Sequence, residues 1–518
     1  MSLRTEVFGL LDNTLQLCRE CSDAGELSQS LKEMRTRLET PLRVAVVGIM
    51  KAGKSTFMNA LMGVDILYTG SLETTYTVCW FRYGKTPRLT VCFRDGEELD
   101  APFEDLKKWS VREYEAENPR INDVKYLIIH YPAEVLKTLE FIDTPGLNSV
   151  YGTDAQNTLD FLSIKGSEDT IQEAGLADAV IYAFSHTASG FDQEILRAFH
   201  DGADAASPIN SVGLLTKVDA TGIWNLLDGN TPVEAARAVT GTVMQNAEMK
   251  RLLFTVLPVC AKVCEGYAQL EEQDWQALTR ISEVKQEDLQ DMLFDAELFA
   301  TCEEDFFACA GNAYSRRRLI GLVGQYGILE IARLFRQGKR PAEIGGALQE
   351  ACGIQAVREL LYRHFGNRTF LIKTRYIFNH LRGLIHRIKR DPAASAHLKE
   401  IGGQLAEGIE GLMTSVQTLK ELKALQMYYN GQLRFLDEEE RQDFLRITGE
   451  YGRSAEERLG VEGSLPVSEL TALVQKKISQ WHGKSGNWMM PGSYVEAASI
   501  LARSYEKMYY HLNALSEE

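Results

Sequence analysis

Residues Gly48 to Ser55 read GIMKAGKS, a G-x-x-x-x-G-K-[ST] stretch set between the apolar run Val44-Ala45-Val46-Val47 and the helix-like stretch Thr56 to Met62. In that setting the stretch reads as a phosphate-binding loop. The strand anchors the loop, the glycines let backbone N–H groups wrap a phosphate chain, and the following helix points its positive dipole end at the same phosphates. Lys54 would reach the β- and γ-phosphates and the Ser55 hydroxyl would bind Mg²⁺. Gly48, Lys51, Ala52, Gly53 and Thr56 complete the expected phosphate cradle.

The pattern outward from the loop predicts three regions. Residues 1–40 carry apolar residues at three- and four-residue steps (Val7, Leu11, Leu15, then Leu27, Leu31, Met34, Leu38), with a break near Ser22-Asp23-Ala24-Gly25. From 41 to about 280, short β-rich runs alternate with helices. Candidate strands are Arg43–Val47, Thr77–Tyr83, Leu89–Arg94, Lys125–Tyr131, Leu139–Ile142, Ala179–Phe184, Ser211–Leu215 and Thr255–Val259. Such alternation predicts an α/β domain with a mainly parallel sheet. From 281 to 518 the strand signals fade and helical periodicity continues to the C-terminus. The predicted fold is therefore an α/β P-loop domain with a mainly parallel sheet and a long all-α bundle. A bundle shared by the N-terminal helix and the C-terminal half would bury both apolar faces.

Later motifs narrow the nucleotide. Asp143-Thr144-Pro145-Gly146 follows the mostly apolar Leu139–Ile142, so Asp143 sits at a strand end where a carboxylate can hold the Mg²⁺ shell. Gly146 offers a backbone N–H to the γ-phosphate. Thr216-Lys217-Val218-Asp219 follows another apolar strand. A carboxylate fixed there accepts both the N1–H and the 2-amino hydrogens of guanine, a donor pair that adenine lacks. The Lys217 stem can cover the base face. Cys260-Ala261-Lys262, after the strand at Thr255–Val259, matches a loop that gives a backbone N–H to guanine O6.

In this order, each after a predicted strand, the segments resemble the motif set of the GTPase superfamily. The runs KAGKSTFMNALMG and Ala177 to Phe184 resemble those of bacterial dynamin-like proteins, and the likeness covers roughly residues 40–265. The resemblance implies a dynamin-type large GTPase with GTP as substrate, Mg²⁺ as cofactor, and a neck and trunk beside the GTPase domain. It also implies a switch threonine before the second strand: Thr75, with Thr74 as competitor, to contact Mg²⁺ and water. Cys260 stands where serine is more usual, a mild change because the backbone carries the contact. Small signalling GTPases place a water-orienting glutamine where this chain has Leu147, so another device is needed. By resemblance Lys51 would assist catalysis when two GTPase domains meet; the alternative is a solvent-facing loop lysine. The implied partners are GTP and GDP, a second copy or a second dynamin-like protein, and an anionic membrane surface.

Composition bounds the rest. The 518 residues are 45% hydrophobic and 25% charged, with a net charge of −16. That acidity opposes nucleic acid as a partner, and no RNA-module pattern accompanies it. Nine cysteines lack paired metal spacing, and Cys18 with Cys21 read as reduced cysteines. No signal-peptide pattern or membrane span is present, which predicts a cytoplasmic chain with peripheral contact at the inner face of the cell membrane open. Two segments are lipid candidates. Leu360 to Arg390 has eight basic residues and no acidic ones, interleaved with apolar side chains. It reads either as a lipid-binding amphipathic helix or as a trunk helix whose basic face meets acidic neighbours such as Asp437 to Glu440. The loop Ser485 to Pro491 carries Trp488, Met489 and Met490, suited either to an interfacial tip or to the trunk core. The competing function is a GTPase switch or scaffold in a stress, defence or assembly complex without membrane remodelling.

Overall fold

The computed structural model describes residues 1–518 except 1–2, 50, 65, 68–76, 112–113, 115–116, 145–176, 186–192, 194–195, 197–207, 222–230, 430–432, 434–436, 453, 462, 488 and 517–518. Helices α1 (Leu3–Cys18) and α2 (Gly25–Glu39) lead into strand β1 (Leu42–Gly48), and the phosphate loop then opens α3 (Lys54–Met62). The other strands are β2 (Val78–Tyr83), β3 (Arg88–Phe93), β4 (Glu98–Ala101), β5 (Val124–Tyr131), β6 (Leu139–Asp143), β7 (Ala179–Phe184), β8 (Ser211–Leu215) and β9 (Thr255–Pro258).

Together they form one sheet in the order β4-β3-β5-β2-β6-β1-β7-β8-β9. The run from β6 through β1, β7 and β8 to β9 is parallel throughout, and β2 pairs parallel with β5. Antiparallel pairs join β2 to β6 and β3 to both β4 and β5, so the sheet is mainly parallel, as the sequence pattern implies. Strands β6, β7 and β8 are buried along their whole length, which is why they read as apolar runs without alternation. The edge strand β4, with its alternating exposed residues, was not anticipated.

The helices that follow are continuous with this core. One apolar cluster runs from Leu42 in β1 to Ile372, taking in Leu278, Leu319, Ile344 and Val357 on the way. The apolar segment Leu319–Phe335 lies in the helix Ala313–Arg336, which bends at Gly324 (φ 68°, ψ −179°), giving the helix pair that its polar interruptions suggest.

Two further cores make the bundle. In the first, Val7, Leu11, Leu27 and Leu31 of α1 and α2 pack with Ile377, Leu381 and Leu384 of the helix Asn367–Arg390 and with Leu398 and Leu405 of the helix Ala396–Ser415. The N-terminal helices and the C-terminal half thus share one bundle. The second core joins the last helices, including Val467–Ser485 and Gly492–Ser516, around Trp481 and Tyr505. Ile209, in the turn before β8, inserts into it.

Buried polar contacts lock the bundle to the sheet. At the start of β7, Asp178 accepts from Arg37 Nε at 2.9 Å and from the Arg43 backbone N–H at 2.9 Å. Lys373, fully buried, donates to the carbonyls of Arg37, Thr40 and Pro41 at 2.7 to 2.8 Å. Nearby, Arg368 pairs with Glu450 at 2.8 Å, and His364 Nε2 lies 2.6 Å from the Ile209 carbonyl. The basic stretch is therefore a trunk helix. Its charges meet Asp178, Glu450, Glu410 and Glu26 rather than the Asp437 to Glu440 run, and its apolar face is core. In the second lipid candidate, Met489 is exposed and Met490 packs partly on the core; Trp488 lies outside the described residues.

The Glu450 cluster yields a stability prediction. Burial alone would push its carboxyl up, but the charges of Arg368 and His364 outweigh burial and hold it down at about 2. A carboxyl depressed on folding stabilises the fold above its unfolded value, and that contribution fades as pH falls from about 4.5 towards about 2. Glu450→Gln is expected to lose on the order of 3 kcal/mol at pH 7, leaving a buried arginine without its counter-charge. Urea unfolding of both proteins at pH 7 and pH 4 checks this. The gap should narrow at the lower pH, and an equal gap at both would refute the electrostatic origin.

Candidate nucleotide site

The predicted site residues converge at the C-terminal ends of β1, β6 and β8 and in the loop after β9. Gly48 closes β1, paired with Ala183 of β7. Gly53 caps α3 with a left-handed backbone (φ 83°), and Thr56 lies half-buried in the first turn of that helix. Lys54 is 7% exposed, and its Nζ donates to the carbonyls of Gly48 at 3.1 Å and Ile49 at 3.2 Å. The ammonium is thereby held over the loop, where burial pulls its pKa down and Asp143 opposes the shift.

Asp143 ends β6 fully buried, with Oδ2 accepting from Ser55 Oγ at 3.3 Å. Burial pushes its carboxyl up to about 6, with Lys54 and the Ser55 hydrogen bond opposing. Its Oδ1 has no hydrogen-bond partner among the described residues. A buried carboxylate with one oxygen unmatched, beside a serine hydroxyl, is a donor set that suits a small oxygen-preferring cation such as Mg²⁺. Ser55 and Asp143 are the residues that would hold it.

The guanine motif is tied directly to the phosphate loop. Thr216, 2% exposed, donates through Oγ1 to the Ala52 carbonyl at 2.6 Å, and its N–H reaches Phe184 O at 2.8 Å. Asp219 follows one turn later, its carboxyl raised by burial while Lys262 and Lys217 pull it down. Lys217 is exposed, and its pKa is lowered first by partial burial and then by the nearby Lys51. Lys51 (φ 61°) and Lys217 (φ 56°) are the described non-glycine residues in the left-handed region. Such a conformation costs on the order of 1–3 kcal/mol and tends to survive where surrounding structure over-determines it, commonly at ligand sites.

The third loop carries a finding that the sequence did not disclose. Cys260 is buried and its backbone N–H is already spent on the Cys352 carbonyl, 3.0 Å away. Ala261, first residue of the helix Ala261–Tyr267, supplies the next N–H, with no i−4 partner inside the helix. Lys262 makes an ion pair of 3.9 Å with Glu265. Glu265 is buried and accepts from Asn59 of α3 at 2.8 Å, so the phosphate helix and the guanine-loop helix are bonded together. Thr75 and its competitor Thr74, Gly146 and Leu147 lie outside the described residues.

Cys352 and Gly353 thus support the guanine loop from a helix end far away in sequence. Gly353 has φ 77°, and a Cβ there would run into the carbonyl oxygen of Pro258 at the end of β9. Gly353→Ala is expected to weaken GTP binding about tenfold and to cost roughly 1–3 kcal/mol of stability. Titration with a fluorescent GTP analogue beside thermal melting checks both. Lost stability with unchanged affinity would free the guanine loop from this support.

A P-loop strand and helix, a carboxylate at the end of β6 and a guanine-type motif at the end of β8 define a GTPase-class domain. The chain matches the family model described as Dynamin family over residues 44–217. It is 26% identical over 471 residues to the isoniazid-induced protein IniC of Mycobacterium tuberculosis, covering 89% of each chain. It is 34% identical over 156 residues to a bacterial dynamin-like protein of Nostoc punctiforme, covering 28% of this chain and 21% of that one. Among solved structures, an oligomerised bacterial dynamin pair aligns over 97% of this chain and 90% of its own at 13% identity and a TM-score of 0.32.

Proposed function

We propose that this chain binds GTP and hydrolyses it to GDP and phosphate, slowly alone and faster when two GTPase domains meet. In this reading the GTPase domain is 41–280, and the helices of 281–518 with residues 1–40 form the neck and trunk that hydrolysis moves. The observation that carries it is the hydrogen-bonded convergence of three loops: Ser55 on Asp143, Thr216 on the phosphate loop, and Asn59 on Glu265. Within it, Lys54 neutralises the β- and γ-phosphates, and Asp219 selects guanine by accepting two donors from its edge. The Ala261 N–H meets O6, while Lys217 and Lys262 flank the base. Gly146 and Thr75 would close on the γ-phosphate side. Ser55 and Asp143 would hold Mg²⁺, which would supply positive charge against the phosphates.

Leu147 cannot orient water, so the transferred phosphoryl group needs another source of positive charge. Lys51 is exposed on the loop itself, with a left-handed backbone, and near enough to Lys217 to lower that lysine's pKa. A face-to-face partner would desolvate that cation and strengthen its effect. Phosphate release per molecule is expected to rise with protein concentration, and Lys51→Ala to remove about 100-fold of that stimulation with GTP affinity nearly unchanged. Stimulation that survives the substitution would take the role from Lys51.

Work at a membrane, with a second copy or a related dynamin as partner, is the coupled part of this proposal. No helix among the described residues is long and apolar enough to cross a bilayer. Burial of Arg368, Lys373 and the apolar face of Asn367–Arg390 favours the alternative of a switch or scaffold without membrane remodelling. Co-sedimentation with anionic vesicles in the GTP and GDP states separates the two: pelleting supports membrane work, and none in any state supports the scaffold.

A further inference from the structure

Nine large apolar side chains are exposed among the described residues, and four of them fall within one short stretch of sequence: Phe294 (75% exposed), Leu298 (50%), Phe306 (47%) and Tyr314 (72%). The first three sit in a part of the chain with an unusual charge. Residues 286–312 hold eight Asp and Glu and no Lys or Arg, and Asp295, Glu297, Glu303 and Glu304 are all exposed. This surface lies outside the nucleotide site.

The segment is built as a fixed platform. It runs antiparallel to the helix Ala313–Arg336, because Gln325 Nε2 donates to the Leu293 carbonyl at 2.6 Å while Arg316 reaches the Phe299 carbonyl at 2.6 Å. Arg316 is 1% exposed and also donates to the carbonyls of Phe307, Cys302 and Gly311. One buried guanidinium therefore ties together backbone carbonyls from Phe299 to Gly311. Phe306 rests edge-on against Phe307, with ring centroids 5.3 Å apart, and Phe307 packs on buried Phe299.

Exposed aromatics on a rigid platform are the composition of an interface centre rather than of an ordinary solvated surface. The acidic rim decides the occupant. It repels anionic lipid and attracts a cationic protein surface. We propose that this strip docks an amphipathic helix of a partner protein, one whose apolar face meets Phe294, Leu298 and Phe306 and whose flanks carry Lys or Arg. The complementary charges steer the approach, and the stapled backbone spares the cost of ordering the site on binding.

The test uses the full chain and a fluorescent amphipathic peptide of leucine and lysine, with a leucine–glutamate peptide of the same pattern as control. The wild type is expected to bind the lysine peptide and not the glutamate peptide. Phe294→Ser with Phe306→Ser should weaken binding at least about tenfold, equal to about 1.4 kcal/mol. Glu297→Lys with Glu304→Lys should exchange the preference so that the glutamate peptide binds instead, an outcome that neither stickiness nor misfolding produces. GTP turnover should stay unchanged in both variants. Equal binding of both peptides, or binding indifferent to these substitutions, would overturn the proposal. So would anionic-vesicle binding that depends on Phe294 and Phe306, which would make lipid the occupant. Loss of self-association in the serine variant by analytical ultracentrifugation would make a second copy the occupant, and would overturn it too.

Discussion

Asp219→Asn is expected to lower GTP affinity by on the order of 10²- to 10³-fold and to raise affinity for xanthosine triphosphate. The argument is one of donors and acceptors. Guanine presents N1–H and a 2-amino group side by side, and a carboxylate accepts both. An amide keeps one acceptor and turns an NH₂ towards guanine's own amino group, leaving a donor facing a donor. Xanthine carries a carbonyl at that carbon, so the same NH₂ gains a partner. Burial pushes this carboxyl up, opposed by a hydrogen bond from its own backbone and by Lys262 and Lys217. Competition of GTP, XTP and ATP against a fluorescent GTP analogue reads the change. An unaltered order of preference would remove Asp219 from base recognition.

Lys54→Ala is the second large effect. The ammonium is buried, bonded to two carbonyls of its own loop and close enough to Asp143 to counter the rise in that carboxyl's pKa. Its removal takes away the buried cation of the phosphate loop and leaves Asp143 without that counter-charge. GTP affinity is expected to fall at least about 100-fold and turnover by about 10³-fold or more. The fold should survive, because the hydrogen bonds of Lys54 go to carbonyls of its own loop. Equilibrium binding beside circular dichroism checks both halves. Affinity within about threefold of the wild type would contradict the reading of the loop.

The fold was legible where burial leaves a simple pattern. Strands β1, β6, β7 and β8 are apolar because both faces are covered, and their ends carry the short motifs. Strand β4 was missed because Glu98-Leu99-Asp100-Ala101 is short, exposed and without β-branched residues, although the Asp95-Gly96 turn before it is a hairpin signal. The shared bundle was readable from amphipathic spacing in α1 and α2. The direction of the basic helix was not, since its partners Asp178 and Glu450 lie 195 residues before Lys373 and 82 residues after Arg368. The same limit hid the Cys352 carbonyl behind the guanine loop. Contacts between distant segments leave no local periodicity to read. Thr75, Gly146 and Leu147 stand on the sequence and the resemblance alone, outside the described residues.

The central claim is that these loops form a working GTP site, and phosphate release tests it most directly. The wild-type chain should release phosphate from GTP in Mg²⁺, not from ATP, and lose that activity when the metal is chelated. Its rate per molecule should climb as concentration rises. Equal release from ATP, or none from GTP at any concentration, would contradict it.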